Sequence, residues 1–283
     1  MNYYKTDYFQ YIHATNISGS GKANSYVRAL DLLCDMLQKK PFGFSDCKDI
    51  WSVDSVERLQ ELHSLVLVET RKKEASEWNM PRIPKSYLRD GYCSAALKSY
   101  LHFLVEHNVQ NHLFHVFQTY NGDENELPNK LEDELNSADF LIDGLDEMQG
   151  QEIMRAVKVR SNQSVFRKMI LKLYSQSCCI TGLNIPEINI ASHIIPWAED
   201  KVKRLDPRNG LCLSATYDAA FDKRLISLDD DYRIILSKSI AEYYTNKNVE
   251  TYFKDKEGDQ IILPYTYLPS KDYLAEHRSQ GEY

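Results

Sequence analysis

No run in this chain of 283 residues approaches the roughly 18 consecutive apolar residues of a membrane-crossing helix, so no membrane span is expected. The opening MNYYKTDYFQ lacks the apolar core of a secretory leader, which points to a cytoplasmic protein. Cysteine is scarce: six residues, scattered, with no CxxC pair, so a structural zinc site of the usual kind is not expected. Only Cys178 and Cys179 are neighbours, and adjacent residues make a poor disulfide, which leaves reduced, partly buried thiols. SGSGKA at 18–23 is not a phosphate loop, because it lacks the first glycine at the right interval and a Ser or Thr after Lys22. An excess of positive charge is missing too, since the formal net charge is -7.

That acidity is local. Residues 121–150 hold ten acidic side chains and one lysine, and the rest of the chain has 33 basic against 31 acidic ones. The acidic stretch is poor in apolar residues and contains Asn-Gly and Pro, so it reads as a linker with a short helix near 129–145. The other notable charge feature has the opposite sign. RKKEASEWNMPRIPKSYLR carries Arg71, Lys72, Lys73, Arg82, Lys85 and Arg89 among Trp78, Tyr87 and prolines. Basic residues interleaved with aromatics suit a loop that follows a phosphate backbone, because Lys and Arg release counterions there.

Residues 1–120 read as mainly helical. Ser25 is placed to cap a helix with Tyr26, Leu30, Leu33 and Leu37 on one face. A second helix starts near Asp54 with Val56, Leu59, Leu62 and Val66 inward, and Ser94 is placed to cap a third over Leu97, Tyr100, Leu101 and Leu104. His102, His107, His112 and His115 fall on different helix faces with no accompanying carboxylate pattern, so they read as packing or surface residues. Hydrophobic content of 43% supplies real cores, and the length suits two domains.

The densest information lies between Cys179 and Asp222. INIAS reads as a strand leading into His193, and Asn209-Gly210 opens a second strand, LCLSA. TYDAAFDK has no helix breaker and sets Asp218 and Asp222 four apart, on one helix face. Strand, loop, strand and helix can close a small site around one hard divalent cation. Carboxylates that hold such an ion, beside a histidine base, are what hydrolysis of a phosphodiester requires.

These residues resemble the HNH, or ββα-metal, endonucleases, and more narrowly their restriction-type members. Cys179–Gly182 resembles the CxxTG turn, His193–Trp197 the His-Ile-x-Pro-Trp motif, Asn209–Leu213 the Asn-Gly-Leu-x-Leu motif, and Phe221-Asp222 the end of the helix. Upstream, Arg160, Gln163, Phe166, Arg167 and Tyr174 fit the helix that precedes this core in the same group, and Leu263-Pro264 and YLAEHR fit its tail. The resemblance spans roughly 150–280. It implies His193 as general base, Asn209 as the residue that ties the loop and orients the histidine backbone, and Asp218 as a metal ligand. Asp222 becomes a second ligand or a partner behind the first. Two positions depart from the pattern: Ser192 stands where relatives often carry a metal-binding Asp, and Tyr217 where they often carry a His. Two carboxylates fit Mg2+ or Mn2+ better than zinc.

The expected architecture is α+β: a helical N-terminal DNA-recognition domain over 1–120, an acidic linker over 121–150, and a C-terminal ββα-metal (HNH) nuclease domain over 151–283. The resemblance implies hydrolysis of double-stranded DNA to 5'-phosphate and 3'-hydroxyl ends. One small site cuts one strand, so a restriction enzyme of this kind is expected as a homodimer on a palindromic site. Arg160, Gln163, Arg167, Arg71, Lys72, Arg82 and Lys85 are the candidate DNA contacts. Two other readings stay open: a nuclease directed to methylated DNA, with a pocket for the modified base in the N-terminal domain, and a DNA-binding protein on a degenerate HNH fold.

Overall fold

The computed structural model describes residues 3–16, 21–137, 147–197 and 202–283. Residues 18–20 of the SGSGKA stretch and 138–146 of the acidic stretch lie outside the described residues. The chain forms two compact units, one from Met1–Val109 with Ser137–Lys158, the other from Gln110–Asn136 with Val159–Tyr283. The architecture is α+β: helices make up the N-terminal part, and the two small sheets lie in the C-terminal part.

The first unit is built on α1 (Tyr3–Thr15), α2 (Lys22–Lys39), α3 (Val56–Arg71), α4 (Lys85–Arg89) and the first part of α5 (Tyr92–Thr119). Leu30, Leu33 and Leu37 on α2, and Leu59, Leu62 and Val66 on α3, are fully buried at the three-and-four spacing of an amphipathic helix. Tyr8 sits at the middle of an aromatic core, 5.3 Å from Tyr100, 5.5 Å from Phe103 and 5.9 Å from Trp51. Ser55 caps α3 by accepting from the Arg58 amide. Ser25 and Ser94 do not cap. Helices α2 and α5 begin two or three residues earlier, so each hydroxyl lies in a first turn and donates back to Gly21 or Gly91.

The second unit takes the last turns of α5, then α6 (Leu127–Asn136), the C-terminal half of α7 (Glu147–Leu173), and the small elements that follow. Leu127, Leu131 and Leu135 of α6 are buried. The stretch read as an acidic linker therefore contributes a packed helix, with Glu134 bound to Lys130 and to His112 at 2.7 Å each. Strand β1 (Asn189–His193) pairs antiparallel with β2 (Gly210–Ser214), setting His193 opposite Gly210 and Ser192 opposite Leu211. Helix α8 (Ala215–Asp222) follows β2 directly. It ends where Arg224 enters the left-handed region at φ 59 and its guanidinium takes up the Phe221 and Asp222 carbonyls. A second hairpin, β3 (Ile226–Leu228) with β4 (Ile234–Leu236), and the helices α9 (Lys247–Tyr252) and α10 (Lys271–Ser279) complete the unit. No described helix is long and apolar enough to cross a membrane. All six cysteines are buried free thiols.

Candidate active site of the hairpin and helix

Successive side chains on a strand point to opposite faces, so His193 and Ser192 leave β1 on opposite sides. On the His193 side lies α7. Phe166 stacks on the imidazole with 3.6 Å between ring centroids and an angle of 12°. Gly210, opposite His193, leaves room for this packing: a Cβ there would fall 2.3 Å from Ile170 Cδ1 and 2.8 Å from Phe166 Cζ. The glycine is required by close approach rather than by a turn. Arg167 fastens the same helix to the hairpin by donating to the Pro186 and Asn189 carbonyls, both at 2.6 Å.

The loop between the strands holds the other edge of the imidazole. His193 Nε2 lies 3.2 Å from the Arg204 carbonyl, and Trp197 packs edge-on at 5.5 Å. A carbonyl only accepts, so Nε2 carries the proton of the neutral ring and Nδ1 keeps its lone pair. Burial pushes the His193 pKa down to about 4, with the Arg204 carbonyl pulling the other way and the Arg204 charge adding to the drop. At neutral pH the ring is uncharged. Arg204 is itself anchored, its Nε donating to the Trp197 carbonyl while its guanidinium lies 4.9 Å over the Trp197 ring.

Asn209, 1% exposed, ties the loop shut. Its Oδ1 accepts from the Ile195 amide at 2.8 Å, and its Nδ2 donates to the Ile195 and Lys203 carbonyls. Its own carbonyl takes the Ile194 amide, next to the histidine. Behind it, Asp206 is 1% exposed and binds the Arg208 guanidinium, the Arg208 amide and the Tyr273 hydroxyl. Neither Arg204 nor Asp206 stood out in the sequence. The only signal was Asp-Pro before Arg208 and Asn209, the pattern of a capped turn with proline in its first positions.

On the other face, Ser192 meets α8. The Ser192 hydroxyl is buried with no hydrogen bond of normal geometry, yet it lies close enough to the half-buried Asp218 to draw its pKa down. Burial is the stronger effect and raises the Asp218 pKa overall, with the nearby Asp222 charge adding to the rise. Asp222 itself is exposed. Tyr217 turns elsewhere: it is buried, bonds the Tyr252 carbonyl and packs its ring against Phe253.

Residues 178–229, which hold the hairpin, its loop and α8, match the HNH endonuclease family. The chain carries an HNH endonuclease domain. A search of curated proteins found no match to the chain. The family implies nuclease activity, and its members generally use a divalent metal ion. Within this HNH domain the structure brings Asn209 and His193 into one loop-and-strand knot, and Asp218 to Ser192. The described contacts of the His193 ring are Phe166, Trp197 and the Arg204 carbonyl, not the aspartates.

The donors of the HNH domain fit a hard cation. The orphaned Ser192 oxygen beside the Asp218 carboxyl, with Asp222 one turn along, is an all-oxygen set that suits Mg2+ or Mn2+ carrying several waters. No group of three or more His, Cys, Asp or Glu side chains able to hold a metal occurs among the described residues, so Asp218 and Asp222 would leave most of an ion's positions to water. Among the candidate DNA contacts, Gln163, Arg71 and Arg82 are exposed, Arg160 is half-buried, and the Arg167 guanidinium is engaged by carbonyls. Lys72 pairs with Glu69 at 2.6 Å and Lys85 with Glu74 at 2.9 Å.

Proposed function

We propose that this chain is a metal-dependent DNA endonuclease, and specifically a type II restriction enzyme that cuts double-stranded DNA at a defined site. The observation that carries the reading is the pinned, neutral His193 inside the HNH match, with Nε2 tied to a carbonyl and Nδ1 left as a base. His193 takes a proton from the attacking water at Nδ1. Asn209 keeps the loop closed so that the imidazole cannot swing off that line. Asp218 and Ser192, with Asp222, would hold Mg2+ or Mn2+ on the α8 side of β1, so the scissile phosphate would have to lie across the end of that strand to meet both the ion and the imidazole. Such an ion neutralises charge on the scissile phosphate and the leaving oxygen. The products carry 5'-phosphate and 3'-hydroxyl ends.

One hairpin and helix serve one strand, so a double-strand break takes two copies, arranged as a homodimer on a palindromic site. Site choice falls to the unit of Met1–Val109, with Arg71, Lys72, Arg82 and Lys85 on the phosphates, and to Arg160 and Gln163 on α7. Arg167 acts through the hairpin carbonyls it holds.

The test is cleavage of methylated and unmethylated plasmid with Mg2+ or Mn2+, with and without chelator. Wild-type protein is expected to cut only with metal, and His193→Ala to bind DNA in a gel shift without cutting it. Wild-type protein that binds DNA yet leaves every plasmid intact in both metals would overturn the reading.

A further inference from the structure

Away from the hairpin, the second unit contains a cavity of about 660 Å³ that the proposed mechanism does not use. It is an open cleft with a largely polar lining, and four of its twelve lining residues are aromatic, Phe117, Tyr120, Tyr265 and Tyr267, with Glu124 and Lys172 as the charged groups. Three observations show that Tyr120, Tyr267 and Phe117 are held in place. Tyr120 folds back over Gly122, where a Cβ would lie 2.6 Å from its hydroxyl, and that hydroxyl donates to the Asp123 carbonyl. Tyr267 adopts φ 55, a strained left-handed conformation for a tyrosine, while its amide donates to Glu124 Oε1 at 3.3 Å. Its ring lies 5.6 Å from Phe117. Tyr265, by contrast, is fully exposed, a large aromatic face with no cover.

The geometry points to this cavity as a pocket for one unstacked nucleobase bearing an exocyclic amino group. The volume is that of a small-molecule site and accommodates a nucleoside monophosphate. Flat aromatic walls are what a base stacks on once it leaves the duplex, and Tyr265 provides an open platform. Glu124 spends one oxygen on the Tyr267 amide and keeps acceptor capacity, which suits an amino group of cytosine, adenine or guanine better than thymine, whose single N3–H is flanked by two carbonyls that the carboxylate repels. The exposed Lys172 on the rim supplies the charge for the attached phosphate. The wall is also tied to the HNH loop: Arg208, next to Asn209, bonds Asn125, and its carbonyl takes the Ser270 amide. The choice of a nucleic-acid ligand rests on the proposed nuclease function, whereas the pocket itself does not.

Equilibrium dialysis of the full chain against dCMP, dTMP and base-free 2-deoxyribose 5-phosphate tests the inference without any cleavage step. Saturable binding of dCMP is expected, with dTMP about fivefold weaker and the base-free sugar phosphate not retained. Tyr265→Ala changes a fully exposed side chain, so the fold is kept, and it is expected to weaken dCMP about tenfold, as for one lost stacking partner. Glu124→Gln is expected to erase the preference over dTMP. No saturable dCMP binding, equal binding by Tyr265→Ala, or equal retention of the base-free sugar phosphate would each overturn the pocket. Plasmid cleavage measured in parallel separates the two ideas: protein that cuts without binding dCMP loses only the pocket, and protein that binds dCMP without cutting loses only the nuclease.

Discussion

Burial, with the Asp222 charge adding to it, holds the Asp218 carboxyl above its usual pKa, so its surroundings disfavour the ionised form that a metal ligand needs. Its folded pKa lies above the unfolded one, so the ionised side chain lowers stability at pH 7 and ceases to do so as the pH falls through the carboxylate range. Asp218→Asn is therefore expected to raise the melting temperature at pH 7 while abolishing metal-dependent cleavage, a trade of stability for function. Thermal unfolding and plasmid cleavage on the same preparation check it, and a variant with lowered stability and full activity would remove Asp218 from the site. The four-residue spacing of Asp218 and Asp222 was legible because a helix repeats on that interval. The partner of Asp218 was not. That Ser192, and not His193, faces α8 depends on strand register and on which helix covers which face, and no local pattern encodes either.

At the scale of the element, two helices clasp one hairpin, and Gly210 is where α7 comes closest. Gly210→Ala would drive a methyl into Ile170 and Phe166. Overpacking of this kind destabilises by about 1–3 kcal/mol, and here it would also dislodge the ring on which His193 stacks. Urea unfolding and cleavage rates are expected to fall together, with partial recovery in Gly210→Ala combined with Ile170→Ala. Unchanged stability would mean that α7 is looser on the hairpin than the structure has it. The sequence marked Asn209-Gly210 as the opening of a strand, and β2 begins there. The reason for the glycine lies about forty residues upstream, in side chains that only the folded chain brings near. Helix α6 makes the same point. Its charge masked an apolar stripe of Leu127, Leu131 and Leu135, and the helix packs near the Val202–Leu205 turn whose Arg204 carbonyl holds His193. Leu131→Ala is expected to lower stability by about 2–5 kcal/mol and to reduce cleavage, read by urea unfolding and plasmid nicking. Loss of neither would return this stretch to the role of a plain linker.

At the scale of the whole molecule, stability against acid depends on histidines buried in the neutral form. His277 on α10 has no exposed surface, stacks on Phe221 at 3.8 Å, and shares hydrogen bonds with Ser227 and the Phe221 carbonyl. Burial, with Arg224 and then Arg278 nearby, pushes its pKa down to about 4, while the Phe221 carbonyl opposes the drop. The folded pKa lies below the unfolded value near 6.5, so between the two the unfolded chain binds the extra proton and stability falls as the pH is lowered. Above about pH 6.5 the histidine has no effect of this kind, and below about 4 the loss is complete. Wild-type protein is therefore expected to lose about 2 kcal/mol more than His277→Gln between pH 7 and pH 5, measured by urea unfolding at both pH values. Equal losses would mean that the ring is wet or already protonated in the folded state. The tail motif YLAEHR was visible in the sequence, but nothing there said that its histidine would close against the carbonyl of Phe221. That contact joins the last helix to the one carrying Asp218 and Asp222, so the acid limit of the fold and the placement of the site's carboxylates depend on the same buried ring.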